Sequence, residues 1–156
     1  MAKSKKIEAL KYTGNFTMID GDLRIKVDYK RFYDQFKRAQ FELDNNVMSG
    51  MANFMPLVTG TFINLTRQES AALAGSGEVV AAHAPYGRFL YYGKLMIDPV
   101  TESPWARKGA KKVVKVPEVE LTFSNPKAVP MWFEEAKKHY AADWIRKAKK
   151  TAGGGD

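Results

Sequence analysis

Few residues in this 156-residue chain are of a kind that does covalent chemistry. There is no cysteine, so disulfides, thiolate nucleophiles and thiolate metal sites are excluded. The two histidines, His83 and His139, fall at the end of an expected strand and on an exposed helix position. Neither has metal-ligand spacing to the other or to a pair of carboxylates. Asp20 and Asp22 flank Gly21, where carboxylates serve a turn, and Glu42 and Asp44 fall on a helix face expected to be solvated. A nuclease needs clustered acids to hold Mg²⁺, and these acids are scattered. Gly75-Ser76-Gly77 has the composition of a phosphate cradle but lacks the lysine and the strand-to-helix context of a P-loop, so a turn is the better reading. No nucleophile and base can be paired. An enzyme is therefore not expected, nor a metal, nor a cofactor.

The remaining chemistry belongs to surfaces. Pro85-Tyr86-Gly87-Arg88-Phe89-Leu90-Tyr91-Tyr92-Gly93 concentrates four aromatics between a proline, favoured in a first helical turn, and a glycine, favoured just past a last one. A helix of about two turns follows, with Tyr86, Phe89, Leu90 and Gly93 on one face. The plain role of that face is core packing. Behind it, residues 94–117 form the least regular stretch. From 103 to 117 it carries Arg107, Lys108, Lys111, Lys112 and Lys115 and no acid. A solvated charged loop would have that charge pattern. It would not also spend Met96, Ile97 and Trp105 on water, and apolar groups rimmed by charge are what interaction sites look like. The interface candidates are Tyr86, Arg88, Tyr91, Tyr92, Met96, Ile97, Trp105, Arg107, Lys108, Lys111 and Lys112. The formal charge of +8 suits an acidic protein partner, a nucleic-acid neighbour, or simply solubility.

These residues need elements to hold them. Residues 1–6 read as a flexible basic arm, 7–150 as one domain with 94–117 protruding, and 151–156 as a flexible tail. The start lacks the apolar stretch of a signal peptide, and no apolar run is long enough to span a membrane. The alternating segments on either side of Asp20-Gly21-Asp22 predict a hairpin. Asp28 is placed to cap a long helix over 29–55, ended by Pro56, with Phe32, Phe36, Ala39, Leu43, Val47, Met51 and Phe54 at helical spacing. Tyr33, Phe41, Met48 and Met55 lie off that stripe, so more than one face is expected to be covered. Segments 62–67 and 78–84 read as an antiparallel strand pair. Val113, Val114 and Val116 allow another strand, with 119–123 as its mate. Pro130 opens a last helix over 130–150 whose apolar face is Trp132, Phe133, Ala136, Tyr140, Trp144, Ile145 and Ala148. The fold class is α+β: a long helix and a C-terminal helix packed on a small, mainly antiparallel sheet, with a long protruding loop.

Three stretches carry a resemblance. Met55-Pro-Leu-Val-Thr-Gly-Thr61 is similar to the "P-x-x-TG-x-L" turn of the tailed-bacteriophage minor capsid proteins, relatives of the neck or tail-completion family. Pro85–Gly93 resembles their "PYARxxYYG" segment, and Asn125-Pro-Lys-Ala-Val-Pro-Met-Trp-Phe-Glu-Glu-Ala-Lys137 their "HPxAxxxWFExAK" segment. The 98–112 stretch resembles a loop that some members carry. The order is kept from about residue 28 to 150, with Phe62, Gly87 and Asn125 standing where Leu, Ala and His are usual. The resemblance implies a non-enzymatic virion protein assembled in the host bacterial cytoplasm. It would form a homo-oligomeric ring at the head–tail connector, joining the DNA-filled capsid to the tail. Its partners would be copies of itself and the neighbouring connector, portal-side and tail proteins. DNA would be met only in transit and a membrane not at all. The alternative is a free-standing basic nucleic-acid-binding module, although no helix-turn-helix, OB or RRM signature is present.

Overall fold

The computed structural model describes residues 16–154 except Gly21, Val58 and Tyr86. The basic arm, the start of the domain, the turn glycine of the hairpin, Tyr86 and the last two residues of the tail thus lie outside the described residues. What is described is α+β, with four helices and two small antiparallel sheets of two strands each.

The hairpin is where the alternation puts it. Strands β1 (Phe16–Asp20) and β2 (Leu23–Val27) pair antiparallel, Phe16 opposite Val27 and Asp20 opposite Leu23. Asp28 follows in extended conformation, and its carboxylate accepts the Lys30 N–H at 3.0 Å. That bond satisfies one of the amides orphaned at a helix start, and α1 (Tyr29–Ala52) begins there. α1 stops three residues short of the expected end. Its N-terminal half is less covered than the stripe predicts, since Phe32 and Phe36 are exposed. Its C-terminal half is covered on more than one face. Met48, Met51 and Met55, spaced by three and four, are all buried together with Ile63, Trp132, Ala136 and Trp144. Methionine's unbranched chain fills the irregular space beside two indoles.

Helix α2 (Thr61–Leu73) is a correction, because a strand is the sequence reading of 62–67. Its buried residues are Ile63, Thr66 and Ser70, a helical spacing in which two of three members are hydroxyls. Hydrophobic periodicity is blind to such a face. The hydroxyls also explain why 78–84 is not a strand. Thr66 Oγ1 donates to the Phe62 carbonyl at 2.8 Å and accepts the His83 N–H at 3.1 Å. Ser70 Oγ bonds both the N–H and the carbonyl of Val80, each at 3.1 Å. The extended segment is tied to side chains of α2 instead of to another strand.

The turn at 74–77 is as expected, but Asp44 is not on a solvated face. It is buried, and one carboxylate oxygen accepts the N–H groups of Gly75 and Gly77 at 2.7 and 3.1 Å while the other accepts Gln40 Nε2 at 2.7 Å. Gly75 and Gly77 have positive φ, +92° and +81°. The paired amides that an anion would seek are filled by the chain's own carboxylate.

Helix α3 (Gly87–Tyr92) ends in the left-handed glycine that the sequence predicts, with Gly93 at φ +66°. The N–H of Gly93 returns to the Leu90 carbonyl and that of Lys94 to Phe89, the paired bonds of a Schellman end. Strands β3 (Met96–Ile97) and β4 (Val113–Val114) pair antiparallel, Met96 opposite Val114. The mate of β4 is thus β3; residues 119–121 pair instead with Gly93–Leu95, through Lys94 opposite Glu120. Helix α4 (Trp132–Thr151) starts two residues after Pro130, with Met131 at φ +53° before it. It lies antiparallel to α1: Phe54 stacks on His139 at 5.4 Å at one end, and the Thr151 hydroxyl donates to Glu42 at the other. Acids in its first turn and lysines in its last suit the helix dipole.

Two outcomes follow for this core. Asp44→Ala orphans the Gly75 and Gly77 N–H groups and the Gln40 amide and should cost about 2–4 kcal/mol, while Asp44→Asn keeps an accepting oxygen and should retain most of the stability in a urea melt. Gly50→Ala gains roughly 1 kcal/mol of helix propensity. The new Cβ, however, would lie 2.6 Å from Trp144 Cζ2 and 3.1 Å from Tyr140. A buried indole yields little, so the overpacking cost of about 1–3 kcal/mol wins and the urea midpoint falls. A raised midpoint would show that α1 and α4 are less closely packed than described.

Candidate interaction surface

The irregular stretch 94–117 is organised around Asp98. Asp98 is fully buried. One carboxylate oxygen accepts Arg107 Nε at 2.9 Å and the Arg107 backbone N–H at 3.1 Å. The other accepts the Val100 N–H at 2.8 Å, Thr101 N–H at 3.3 Å and an Arg107 terminal nitrogen at 3.2 Å. The Asp98 backbone adds a bond to and from 102–103. The Arg107 guanidinium and these backbone donors hold the Asp98 carboxyl far below the usual carboxylate range, against the opposing effect of its burial. Arg107 is correspondingly pushed up. Its function is to close the loop on itself, so it is not a free cation for a partner.

Met96 and Ile97 are a second correction. They lie buried in β3, and neither is available as an exposed interface group. The clamp at Asp98 instead carries Val100 and Trp105 (78% exposed) outward, and Val116, past β4, is exposed as well. Lys108 and Lys111 are exposed beside them, and Lys112 lies over the Phe89 ring at 5.3 Å. In α3, Arg88 and Tyr92 are exposed, whereas Tyr91 is half-buried, edge-on to Trp132 at 4.9 Å. Burial first, then the nearby Glu134 charge, pushes the Tyr91 phenol up. Tyr86 lies outside the described residues. Gly87 has a local reason to differ from the alanine of the family pattern. A Cβ there would stand 2.7 Å from the carbonyl carbon and oxygen of Ala82.

A second group of exposed apolar residues was not among the site candidates. Met18, Ile19 and Ile25 on the hairpin and Tyr29, Phe32 and Phe36 on α1 are all more than a third exposed. The signal was present: Phe32 and Phe36 belong to the stripe that α4, spent on the other half of α1, does not reach. His83 Nδ1 lies 2.7 Å from Glu69, and His139 pairs with Glu135 at 3.2 Å; both are local pairs. Among the described residues, no three His, Asp or Glu side chains converge as a metal site requires. None of the described helices is long and apolar enough to cross a membrane. Comparisons with family models, curated proteins and solved structures return no match for this chain.

The clamp makes a pH-dependent prediction. Because the folded Asp98 carboxyl titrates below its unfolded value, its contribution is present above the ordinary carboxylate range and is lost as pH falls through and below it. Arg107→Ala should therefore melt at a lower temperature than wild type near pH 7, with the gap narrowing as pH approaches 3. A gap independent of pH would show that Arg107 acts only by packing.

Proposed function

We propose that this chain is a structural virion protein of the bacteriophage head–tail connector, forming a homo-oligomeric ring between the DNA-filled head and the tail. The observation that carries the reading is the presence of two unlike exposed apolar surfaces on one small chain. One is on the hairpin and first half of α1; the other is on the 94–117 stretch at Val100, Trp105 and Val116. A closed ring uses head-to-tail contacts, and these need two different, mutually complementary surfaces on every subunit. A monomeric binding module needs one. The motif resemblance supplies the biological setting. Most of the +8 charge is then directed at acidic protein neighbours, since a uniformly positive channel would grip passing DNA.

Electron microscopy of the purified chain at high concentration, and of phage particles carrying a labelled copy, tests the reading. Rings, and label at the neck, are the expected images. Trp105→Ala should leave stability within about 0.5 kcal/mol of wild type, as for an exposed site. Particles made with it should accumulate as filled or leaking heads and separate tails. Normal infectious yield would remove Trp105 from the interface. A chain that stays monomeric and binds DNA with steep salt dependence would instead favour the nucleic-acid-binding module.

A further inference from the structure

Among the described residues, the β1–β2 hairpin has no partner beyond itself. Its strands pair with each other, no third strand joins either edge among the described residues, and contact with the helices is marginal. An isolated two-stranded hairpin is at best marginally stable in water. It exposes Arg24 and Lys26 along β2, with Met18 and Ile25 on its other face.

A strand edge of the opposite character lies elsewhere on the chain. The Val119 carbonyl and Leu121 N–H bond to Leu95 and Gly93. By the period of two, the backbone groups of Glu120 and Thr122 point the other way, where no described residue bonds them. Beside this free edge is a shallow depression lined by Tyr92, Leu121, Phe123 and Pro130 together with the charged Lys94 and Glu120. Glu120 on the edge is exposed, and Glu118 is shared with Lys94 at 2.5 Å.

These two surfaces cannot meet within one molecule. The hairpin joins α1 through Asp28 alone, whereas the 118–123 segment is fixed near the far end of α1 by Asn125 Nδ2 on the Met55 carbonyl and the Val129 N–H on the Phe54 carbonyl. The 24 residues of α1 separate them by about 36 Å. Five-residue strands folded back would reach only about 17 Å.

We infer that the hairpin of one copy of this chain docks on the 118–123 edge of the next copy, extending its sheet, with Arg24 and Lys26 facing Glu118 and Glu120. Backbone bonds supply the join, and the depression takes the apolar face of the hairpin. Opposite charge sets the register and disfavours other pairings. Because donor and acceptor are different surfaces, the contact is head-to-tail, which deepens the ring reading above and rests on it.

Two charge-reversed chains test this. One carries Arg24→Glu and Lys26→Glu; the other carries Glu118→Lys and Glu120→Lys. Each alone brings like charges together and should self-associate roughly tenfold or more weakly than wild type by sedimentation. Mixed, each hairpin finds an edge of opposite sign, and assembly should return. All four positions are on the surface, and a melt of each variant checks that it folds. The absence of cysteine permits a second measurement: with β2 antiparallel to the edge, Lys26 opposite Glu118 and Arg24 opposite Glu120, Asp22 falls opposite Thr122, so Asp22→Cys in one copy and Thr122→Cys in another should oxidise preferentially to the mixed disulfide dimer. If wild type forms rings but the reversed variants assemble alone and no mixed disulfide forms, this docking is wrong and the ring reading survives. If the charge swap and cross-link work but only open chains form, docking is supported and the ring reading falls. A wild type that stays monomeric at millimolar concentration overturns both.

Discussion

Trp132 is the contact on which the arrangement of this molecule depends. Its indole is fully buried, edge-on to Phe62 of α2 at 5.9 Å and to Tyr91 of α3 at 4.9 Å. Its Nε1 donates to the Ala81 carbonyl at 2.7 Å, which fixes the irregular 78–83 segment to the start of α4. One side chain thus joins two helices and the stretch that Thr66 and Ser70 hold from α2, and each edge-on pair adds about 0.5–1.5 kcal/mol beyond area burial. The adjoining Met131 N–H reaches the Tyr91 carbonyl, so backbone and ring brace α3 together. Around that hub the chain has little sheet to use as a platform. The long helices mainly pack on each other, through the gap that Gly50 leaves for Trp144.

Where regular pairing is missing, single polar side chains perform its task. Asp44 closes the 74–77 turn, Thr66 and Ser70 hold the strand-like segment, and Asp98 closes the loop that displays Trp105. Buried polar groups are expensive unless fully bonded, and these are bonded several times over. The consequence for function is a loop with a defined shape before any partner arrives, which lowers the ordering cost of binding.

The legible parts of the sequence were those where local chemistry and tertiary packing agree. Asp28 before an apolar-periodic run, the alternation around residues 20–22, Gly93 after a short aromatic helix and the Trp132-to-Trp144 stripe match the structure, whereas Ile145, read as part of that stripe, is exposed. Helix α2 was hidden because Thr66 and Ser70 occupy its inward face. Asp44 could have been found, since it stands four and seven residues before Met48 and Met51, on their face of α1. The Asp98–Arg107 pair leaves no periodic trace at all, because a loop closure has no repeat. Met96 and Ile97 looked exposed only because strands as short as β3 carry no pattern. Of the interface candidates, Trp105, Lys108, Lys111, Arg88 and Tyr92 are surface groups in the structure, while Met96, Ile97 and Arg107 serve the fold.

The core methionines have a consequence for oxidative chemistry. Met48, Met51 and Met55 are at most 5% exposed, whereas Met18 and Met131 are open to solvent. Converting a buried thioether to a sulfoxide places a polar, chiral group against two indoles, which the native packing cannot accept. Peroxide must therefore wait for α1 and α4 to separate before it reaches those sulfurs, while the outer pair reacts without any opening. The ratio of the two rates is a clock for core opening, readable by mass spectrometry without any label, and any assembly that holds the helices together slows it.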